Sequence, residues 1–324
     1  MKCRVNLLEL SDRAAMGLPD TFVRTPLDDI ERIMDDLRYR SQRELALIAE
    51  NPIHRLAKRY AAATILGMAG DPRIDALAPP MLVVPGGTAR VGLEPSDVPR
   101  VVAEWRHVGV IAEWIEKEAP AFSVNVPSFR IGRYPVTNSE YRRFLEETGY
   151  RELPSSWRLG AYPVERANHP VHTISASAAE AYAGWLSIET GRAFRLPTEI
   201  EWEWAAAGPV GAEFPWGSFF ATDRANTAES CIQTTTPVGI FPAGRSWCGA
   251  DDMAGNVEEY VANDYVPYPG GKLIADDLVA TLGTYRITRG GSFARFGDLA
   301  RCRRRHGAYP KEIYAIGFRL AEDT

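Results

Sequence analysis

The stretch that decides the fold is Gly249-Ala-Asp-Asp-Met-Ala-Gly-Asn-Val-Glu-Glu-Tyr260, with the later pieces Arg289-Gly-Gly-Ser-Phe293 and Gly317-Phe-Arg-Leu320. Upstream lies a further diagnostic piece, Arg195-Leu-Pro-Thr-Glu-Ile-Glu-Trp-Glu-Trp204. The chain around them is rich in glycine, proline and aromatic residues and has few regular periodic patterns. Such a composition predicts an irregular α+β fold that is stabilised largely by packed loops.

The length and composition are those of an ordinary globular chain. Its 324 residues can bury one large core, or a core with a small accessory domain. The net charge of −5 gives no whole-chain argument for binding nucleic acid. The N-terminus lacks the apolar run of a secretory signal, and no stretch approaches the roughly 20 apolar residues of a membrane-spanning helix. We therefore expect a cytoplasmic protein with neither nucleic acid nor a membrane as partner.

The cysteines give no sign of a covalent or metal-bound framework. The four of them are widely spaced and form no C-x-x-C motif: Cys3, Cys231, Cys248 and Cys302. Neither a set of disulfides nor a zinc knuckle is expected, and the thiols should be reduced.

Residues 1–78 are predicted to form a helical N-terminal segment. Thr25-Pro26 would open a first helix, whose apolar face would be Ile30, Ile33, Met34 and Leu37. Asn51-Pro52 would open a second helix that ends at Gly67 or Gly70, with an inner face of Leu56, Tyr60, Ala63 and Leu66. Two short helices bury little surface alone, so we expect this segment to pack on the main domain or on a partner.

The main domain is predicted to span residues 79–324, after Pro79-Pro80. Residues 81–92 read as two strands joined by a Gly-Gly turn, and residues 129–136 read as another strand. Three helix starts are predicted from capping pairs, namely Thr137 with Glu140, Ser177 with Glu180, and Thr198 with Glu201. Residues 94–121 form an insertion of mixed character.

Eight short motifs occur in one order along residues 81–321. They are Tyr134-Pro-Val-Thr-Asn138, His169-Pro-Val171, Arg195-Leu-Pro-Thr198, Phe214-Pro-Trp-Gly217, Thr236-Pro-Val-Gly239, Asp252-Met-Ala-Gly-Asn256, Arg289-Gly-Gly-Ser292 and Gly317-Phe-Arg319. This ordered set resembles the formylglycine-generating enzyme family, also called the sulfatase-modifying-factor family. The resemblance implies a C-type-lectin-like fold. It does not by itself imply activity, because one fold supports many functions.

The resemblance also implies where the usual chemistry would lie, and the chain departs from it there. Catalytic members bind copper through two cysteines that match Arg295 and Ala300 here, and neither residue can replace a thiolate. Cys302 is close in sequence, but a lone thiol is more often a packed bystander. Glu258 stands where the family has an aromatic residue, and a buried carboxylate needs a cation, a metal or water, so Arg295 is the expected partner. Ser292 matches the family's active-site serine but has no general base beside it in sequence.

The resemblance implies structural calcium in the loop that follows residue 251. The expected side-chain ligands are Asp252 and Glu259, and backbone carbonyls near Ala254 to Val257, a stretch that includes Asn256, would supply the rest. A second site would begin at Asn226, but its downstream acidic partner is missing. The alternative is that these polar groups cap the loop backbone.

The histidines offer one further metal hypothesis. His169 and His172 are three residues apart and, with Glu258 or His306, could form a three-ligand site for non-haem iron. The competing interpretation is that both belong to the hydrogen-bonded scaffold.

Residues 294–316 match a C-terminal surface segment of the family. Arginine and tyrosine anchor many interfaces, so the expected ligand contacts are Arg295, Phe296, Arg303, Tyr309 and Tyr314. The segment also resembles the variable region of retroelement-diversified lectin-like proteins, which bind ligands without catalysis. The alternative is a solvated basic loop, in which the arginines at family-wide positions bond backbone carbonyls inside the fold: Arg289, Arg301, Arg305 and Arg319.

Two functions follow. The first is a module that binds a peptide, a protein or a small ligand in a cleft formed by Glu258, Ser292, Arg295 and residues 294–316, with calcium as a structural ion. The second is a diverged oxidoreductase that uses iron or copper in the same cleft, with Glu258 and His306 as candidate catalytic residues. A third, weaker idea is a structural paralogue that pairs with an active homologue.

Overall fold

A computed structural model describes residues 9–18, 21–22, 25–27 and 29–324. Ten α-helices lie within these residues: α1 Asp12–Ala15, α2 Ile30–Leu37, α3 Gln42–Ala49, α4 Leu56–Ala69, α5 Val98–Trp105, α6 Ala112–Glu116, α7 Asn138–Thr148, α8 Ala176–Thr190, α9 Glu199–Ala207 and α10 Asp277–Leu282. The strands of the same residues are β1 Met81–Val84, β2 Gly87–Val91, β3 Phe122–Val126, β4 Phe129–Gly132, β5 Phe194–Arg195, β6 Glu258–Asp264, β7 Arg286–Arg289, β8 Ile316–Phe318 and β9 Ala321–Asp323. The expected mixed α+β architecture is confirmed.

The described strands form three small sheets. The first has the order β1-β4-β9-β5 and is antiparallel throughout. The second pairs β2 with β3, and the third has the order β7-β6-β8, in which β8 runs parallel to β6. The last strand of the chain therefore lies in the middle of the first sheet, and the strand that carries Glu258 lies in the middle of the third.

The predicted hairpin between β1 and β2 is wrong. β1 pairs with β4 and β2 pairs with β3, and the pairs Val84–Phe129 and Gly87–Val126 continue one register across the break. A proline follows β1 and another follows β3, and proline cannot donate to the ladder. The four strands thus form one long interrupted hairpin, whose loop is the 94–121 insertion. That loop contains α5 and α6 and packs back on the domain.

The N-terminal segment contains more helix than expected. α2 begins at Ile30 and not at the predicted Thr25-Pro26, but Ile33 and Leu37 of its predicted apolar face are buried. A further helix, α3, begins at a capping box formed by Ser41 and Glu44. The predicted start of the next helix at Asn51 is wrong, because the Asn51 side chain accepts a hydrogen bond from the backbone N–H of Ile53 in a turn. α4 begins at Leu56 and ends at Ala69, before Gly70.

The helix starts of the main domain depend on local capping. The boxes Thr137–Glu140 and Thr198–Glu201 both form as predicted. The predicted cap at Ser177 is wrong, since α8 begins two residues earlier with Ser175 as its N-cap. Within the described residues, no helix is both long and apolar enough to cross a membrane.

Candidate functional site

Residues 294–316 are largely buried, which corrects their expected place on the surface. Arg301, Arg304 and Arg305 have almost no exposed surface. The arginines expected inside the fold are there, but they bind carboxylates as well as carbonyls, in the pairs Arg289–Glu199, Arg289–Glu203, Arg301–Glu118, Arg305–Glu199 and Arg319–Glu259. The segment is thus a buried, charge-paired wall of the domain.

This wall encloses a cavity of about 220 Å³. Four parts of the chain meet there: residues 294–314, the insertion, the start of α10, and residues 14–17 near the N-terminus. The side chains that line it include Arg295, His306, Tyr309, Tyr314, Trp114 and Asp277. Residues 14–17 cover one side, held by Lys311, whose ammonium donates to the Leu10 carbonyl at 2.6 Å and lies 3.4 Å from Asp12. The volume suits a small organic molecule rather than a peptide.

Glu258 and His306 form a hydrogen-bonded pair at the back of the cavity. His306 Nδ1 lies 2.7 Å from Glu258 Oε2, and the Thr288 hydroxyl donates to the same oxygen at 2.7 Å. Burial alone would raise the pKa of Glu258, but His306 and Arg295 hold it below its usual value. Burial lowers the pKa of His306 despite the neighbouring carboxylate. The pair is therefore an ionised carboxylate that accepts from a neutral imidazole.

Arg295 has two unsatisfied donors at the cavity, whereas Arg304, which also lines it, has one. The guanidinium carbon of Arg295 lies 4.0 Å from the centre of the Tyr314 ring, and its Nε lies 3.8 Å from Glu258 Oε1, beyond hydrogen-bond distance. The side chain is nine-tenths buried, and both Nε and Nη2 are without a hydrogen-bond partner. Buried donors are nearly always paired, so these two nitrogens indicate a missing ligand group or water. The predicted contact between Arg295 and Glu258 is present as an ion pair.

The opposite side of the cavity is acidic but internally satisfied. Asp277 accepts hydrogen bonds of 3.0 Å from the Trp114 indole and from the Tyr309 hydroxyl. Lys117 Nζ lies 2.5 Å from Asp276, and burial lowers the pKa of this lysine to about 8. These groups come from the insertion and from α10. No sequence motif linked them to the site, because they meet it only through tertiary packing.

Two of the residues predicted for the cleft lie elsewhere, and Cys302 is the packed bystander that the sequence suggested. Ser292 is fully buried and does not line the cavity. Arg303 is bound away from it, with Nε on the Gly92 carbonyl and Nη1 on Glu213. Cys302 is fully buried, and burial raises the pKa of its thiol, which excludes it as a ready thiolate. Phe296 lines the cavity, and its predicted contact with a ligand stays a prediction.

The expected calcium ligands do not fit an ion site. Glu259 is held by two 2.6 Å hydrogen bonds from Arg319 and one of 2.7 Å from the Trp202 indole. Asp252 accepts from the Gly239 backbone at 2.7 Å, and burial raises its pKa to about 7. The amide of Asn256 bonds both backbone groups of Thr236. Val257 is buried beside them. These contacts match the alternative in which the polar groups cap the loop.

Asn226, the residue at which the second calcium site was predicted to begin, is hydrogen-bonded within the protein. Its amide nitrogen donates to the Thr234 carbonyl at 2.8 Å, and its oxygen accepts from Ser230 at 2.9 Å. The side chain therefore organises its own loop.

The histidine triad suggested for iron does not form. His169 Nδ1 lies 3.0 Å from the Thr235 hydroxyl, and His172 Nδ1 lies 2.7 Å from the Thr173 hydroxyl. Burial lowers the pKa of His169 to about 3 and that of His172 to about 4. Within the described ranges, no three His, Cys, Asp or Glu side chains are grouped so as to hold a metal ion. Both histidines fit the scaffold interpretation.

Comparison with known proteins places these features in context. A profile of the sulfatase-modifying factor enzyme 1-like domain matches residues 69–324. Hercynine oxygenase of Mycobacterium tuberculosis is 34% identical over 244 residues, which are 64% of this chain and 56% of that protein. Formylglycine-generating enzyme of Thermomonospora curvata is 30% identical over 275 residues, or 67% of this chain and 83% of that protein.

A solved structure agrees with the fold. PvdO from Pseudomonas aeruginosa superimposes with a TM-score of 0.56 at 24% identity, over 76% of this chain and 95% of that one. At this identity the likeness shows the fold alone. The chain spans little more than half the length of the hercynine oxygenases that it matches.

Proposed function

This chain belongs to the sulfatase-modifying factor enzyme 1-like domain family, and on that premise we propose that it is a binding module for a small carboxylate. The proposal assigns the cavity beside Arg295 as the binding site. Of the three ligands considered, a peptide, a protein or a small molecule, we choose the small molecule. The cavity volume of about 220 Å³ is too small for a folded partner.

The observation that carries the proposal is the state of Arg295. Its Nε and Nη2 are buried, unpaired and adjacent on one edge of the guanidinium. A carboxylate can accept from two such donors at once, and bonds of this charge-assisted kind are among the strongest in proteins. Tyr314 fixes the guanidinium plane from below. The ion pair with Glu258 is too long to satisfy these donors.

Binding can be measured by calorimetry with acetate, pyruvate and benzoate, and with acetamide as the uncharged control. We expect saturable binding of at least one acid and none of the amide. Arg295→Ala should weaken binding by at least about tenfold, because it removes a charged hydrogen-bond pair. Arg303→Ala is the matched control from the same segment and should retain affinity, since its side chain faces Gly92 and Glu213. Equal loss in both variants would contradict the proposal.

A second candidate is a metal-dependent oxidoreductase. It is favoured by the identity with hercynine oxygenases, although this chain matches only about half of those proteins. The described residues hold no ready ligand set, so any iron or copper would need ligands beyond them or a rearrangement. Mass spectrometry of protein purified without chelator decides: stoichiometric iron or copper would favour this candidate over the binding module.

Calcium is not part of the proposal, because its expected ligands are engaged by protein donors. A cytoplasmic location and the expected lack of nucleic-acid and membrane partners stay predictions.

A further inference from the structure

The Glu258 carboxylate is oriented from several sides. One oxygen accepts from His306 and from Thr288, and the other faces Arg295. The side chain has no exposed surface. A buried carboxylate that accepts from one nitrogen of an imidazole fixes both the ring orientation and the tautomer. The neighbouring backbone adds rigidity, since His306 and Thr288 exchange two backbone hydrogen bonds of 2.9 and 3.2 Å.

This arrangement leaves His306 Nε2 as a free acceptor. The ring lines the cavity, Nδ1 is taken by Glu258, and no described residue bonds Nε2. The neutral imidazole that donates from Nδ1 carries its lone pair on Nε2. The Tyr314 ring lies 5.7 Å from the His306 ring at an interplanar angle of 15°, and this stacking restrains the imidazole.

The same tyrosine ring and the same carboxylate connect His306 with Arg295. Arg295 lies over Tyr314 and beside Glu258 Oε1, while His306 stacks on Tyr314 and bonds Glu258 Oε2. A positioned base next to a cation with unsatisfied donors is the combination that removes a proton and stabilises the negative charge left behind. A binding module alone needs only the cation.

We propose that this cavity catalyses proton transfer, with His306 Nε2 as the base toward a small 2-oxo acid whose carboxylate and keto oxygens are held by Arg295. This inference rests on the proposed binding of a carboxylate at Arg295. A 2-oxo acid is the class that fits a base without a cofactor, because its keto group makes the neighbouring C–H acidic. Glu258 is a positioning residue, since it acts through His306.

The step balances without any further reactant. The bond between carbon 3 and its hydrogen breaks, and the proton passes to Nε2. The electron pair forms a double bond between carbons 2 and 3, and the keto oxygen becomes an enolate oxygen beside Arg295. Return of a proton from Nε2 regenerates the 2-oxo acid. In heavy water the imidazole exchanges its proton with solvent, so deuterium enters carbon 3.

The test is proton NMR of pyruvate and 2-oxobutyrate in D₂O with and without the protein. We expect the carbon-3 proton signal to disappear faster than in buffer. His306→Gln should slow the protein-dependent rate by roughly 100- to 10,000-fold, the usual contribution of a general base. Calorimetry on the same variant should show unchanged affinity. Glu258→Gln should lower the rate with little change in dissociation constant, which a merely structural role would not produce.

The outcomes separate this inference from the binding proposal. Binding without accelerated exchange in the wild type overturns proton transfer and leaves the module standing. Exchange that survives His306→Gln in a protein with the wild-type melting temperature also overturns it. Failure of the wild type to bind pyruvate and 2-oxobutyrate overturns proton transfer, whereas the binding proposal falls only if acetate and benzoate are not bound either. Should Glu258→Gln fail to fold, the result with His306→Gln decides alone.

Discussion

At the scale of single residues, the lowered pKa of a buried histidine predicts how the free energy of unfolding changes with pH. His169 has almost no exposed surface, and burial lowers its pKa to about 3. In the unfolded chain its pKa is the ordinary 6.5 or so. The folded state therefore binds fewer protons below that pH. The stability that depends on neutral His169 is complete above about pH 6.5 and falls as the pH drops toward 3.

A comparison with His169→Asn isolates this contribution, because asparagine does not titrate and keeps a polar atom near Thr235. Between pH 6 and 4, the wild type should lose about 1.4 kcal/mol of unfolding free energy per pH unit relative to the variant. Urea unfolding at a series of pH values measures it. Burial raises the pKa of Glu140 to about 7, so protonation of this carboxyl stabilises the fold as the pH falls. Because Glu140 is present in both proteins, its contribution cancels when the free energy of the variant is subtracted from that of the wild type. A pH-independent difference would show that His169 is protonated or exposed.

The residues of the site differ in how far sequence could predict them. The meeting of Glu258 and Arg295 was predictable, because a carboxylate at a buried position requires a cation. The partnership of His306 with Glu258 was only one of several options, since nothing local joins residues 48 positions apart. Trp114 and Asp277 could not be assigned to the cavity, because their approach depends on how the insertion folds.

At the scale of elements, Glu50 joins the N-terminal helices to the main domain. It lies at the C-cap of α3 and accepts from Arg133 at 2.6 Å, from the Tyr134 hydroxyl at 2.5 Å, and from Arg73 and Arg245 at 3.2 and 3.1 Å. Burial alone would raise the pKa of Glu50, but these donors lower it. The carboxylate is therefore ionised and shared among several cations.

Removal of this carboxylate should weaken the compensation of three arginines without abolishing it, because Arg133 and Arg245 keep Asp251, and Arg73 keeps Asp71. We expect Glu50→Ala to lower the unfolding free energy by about 2 kcal/mol, because hydrogen bonds to a charged group are lost but no buried charge is left alone. Urea unfolding gives the value. Glu31→Ala, an exposed acidic residue at the start of α2, is the control and should change stability by less than about 0.5 kcal/mol. Similar small effects in both variants would show that the helices are held elsewhere.

Elements with local signals were predictable, and those with distant partners were not. The capping boxes at Thr137 and Thr198 specify their helices within four residues of sequence. The strand β2 carries a local strand pattern, but its partner lies 30 or more residues away. A Gly-Gly turn predicts a tight hairpin on local grounds, but the long-range pairing of β1 with β4 and of β2 with β3 outweighs it.

At the scale of the whole molecule, the helical segment and the main domain share a core. The cluster around Ala61, Ala62, Ala63 and Leu66 of α4 also contains Ile232, Ile240 and Phe241 of the main domain. The domain boundary at residue 78 stays a prediction. The buried face of α4 shares its apolar cluster with residues of the main domain. Sequence alone left open whether the helices pack on this domain or on a partner, because an apolar face does not identify what covers it.

Gly67 of α4 lies against Asn168 of the main domain, and substitution of this glycine tests the packing. A Cβ at Gly67 would lie 2.6 Å from Asn168 Oδ1. Asn168 cannot easily move, since its amide donates to the Ala63 carbonyl and to Asp71, both at 2.8 Å. Alanine normally stabilises a helix interior over glycine by up to about 1 kcal/mol, so the sign of the effect distinguishes a packed helix from a free one.

We expect Gly67→Ala to lower the melting temperature and Gly184→Ala to raise it slightly. Gly184 is the matched control, because it lies in α8, is exposed, and has no heavy atom within 4 Å of the added Cβ. Differential scanning calorimetry measures both shifts, and one cooperative transition is expected because the two parts share their core. If Gly67→Ala were as stabilising as Gly184→Ala, α4 would not be docked at Asn168, and the helices would be an independent appendage.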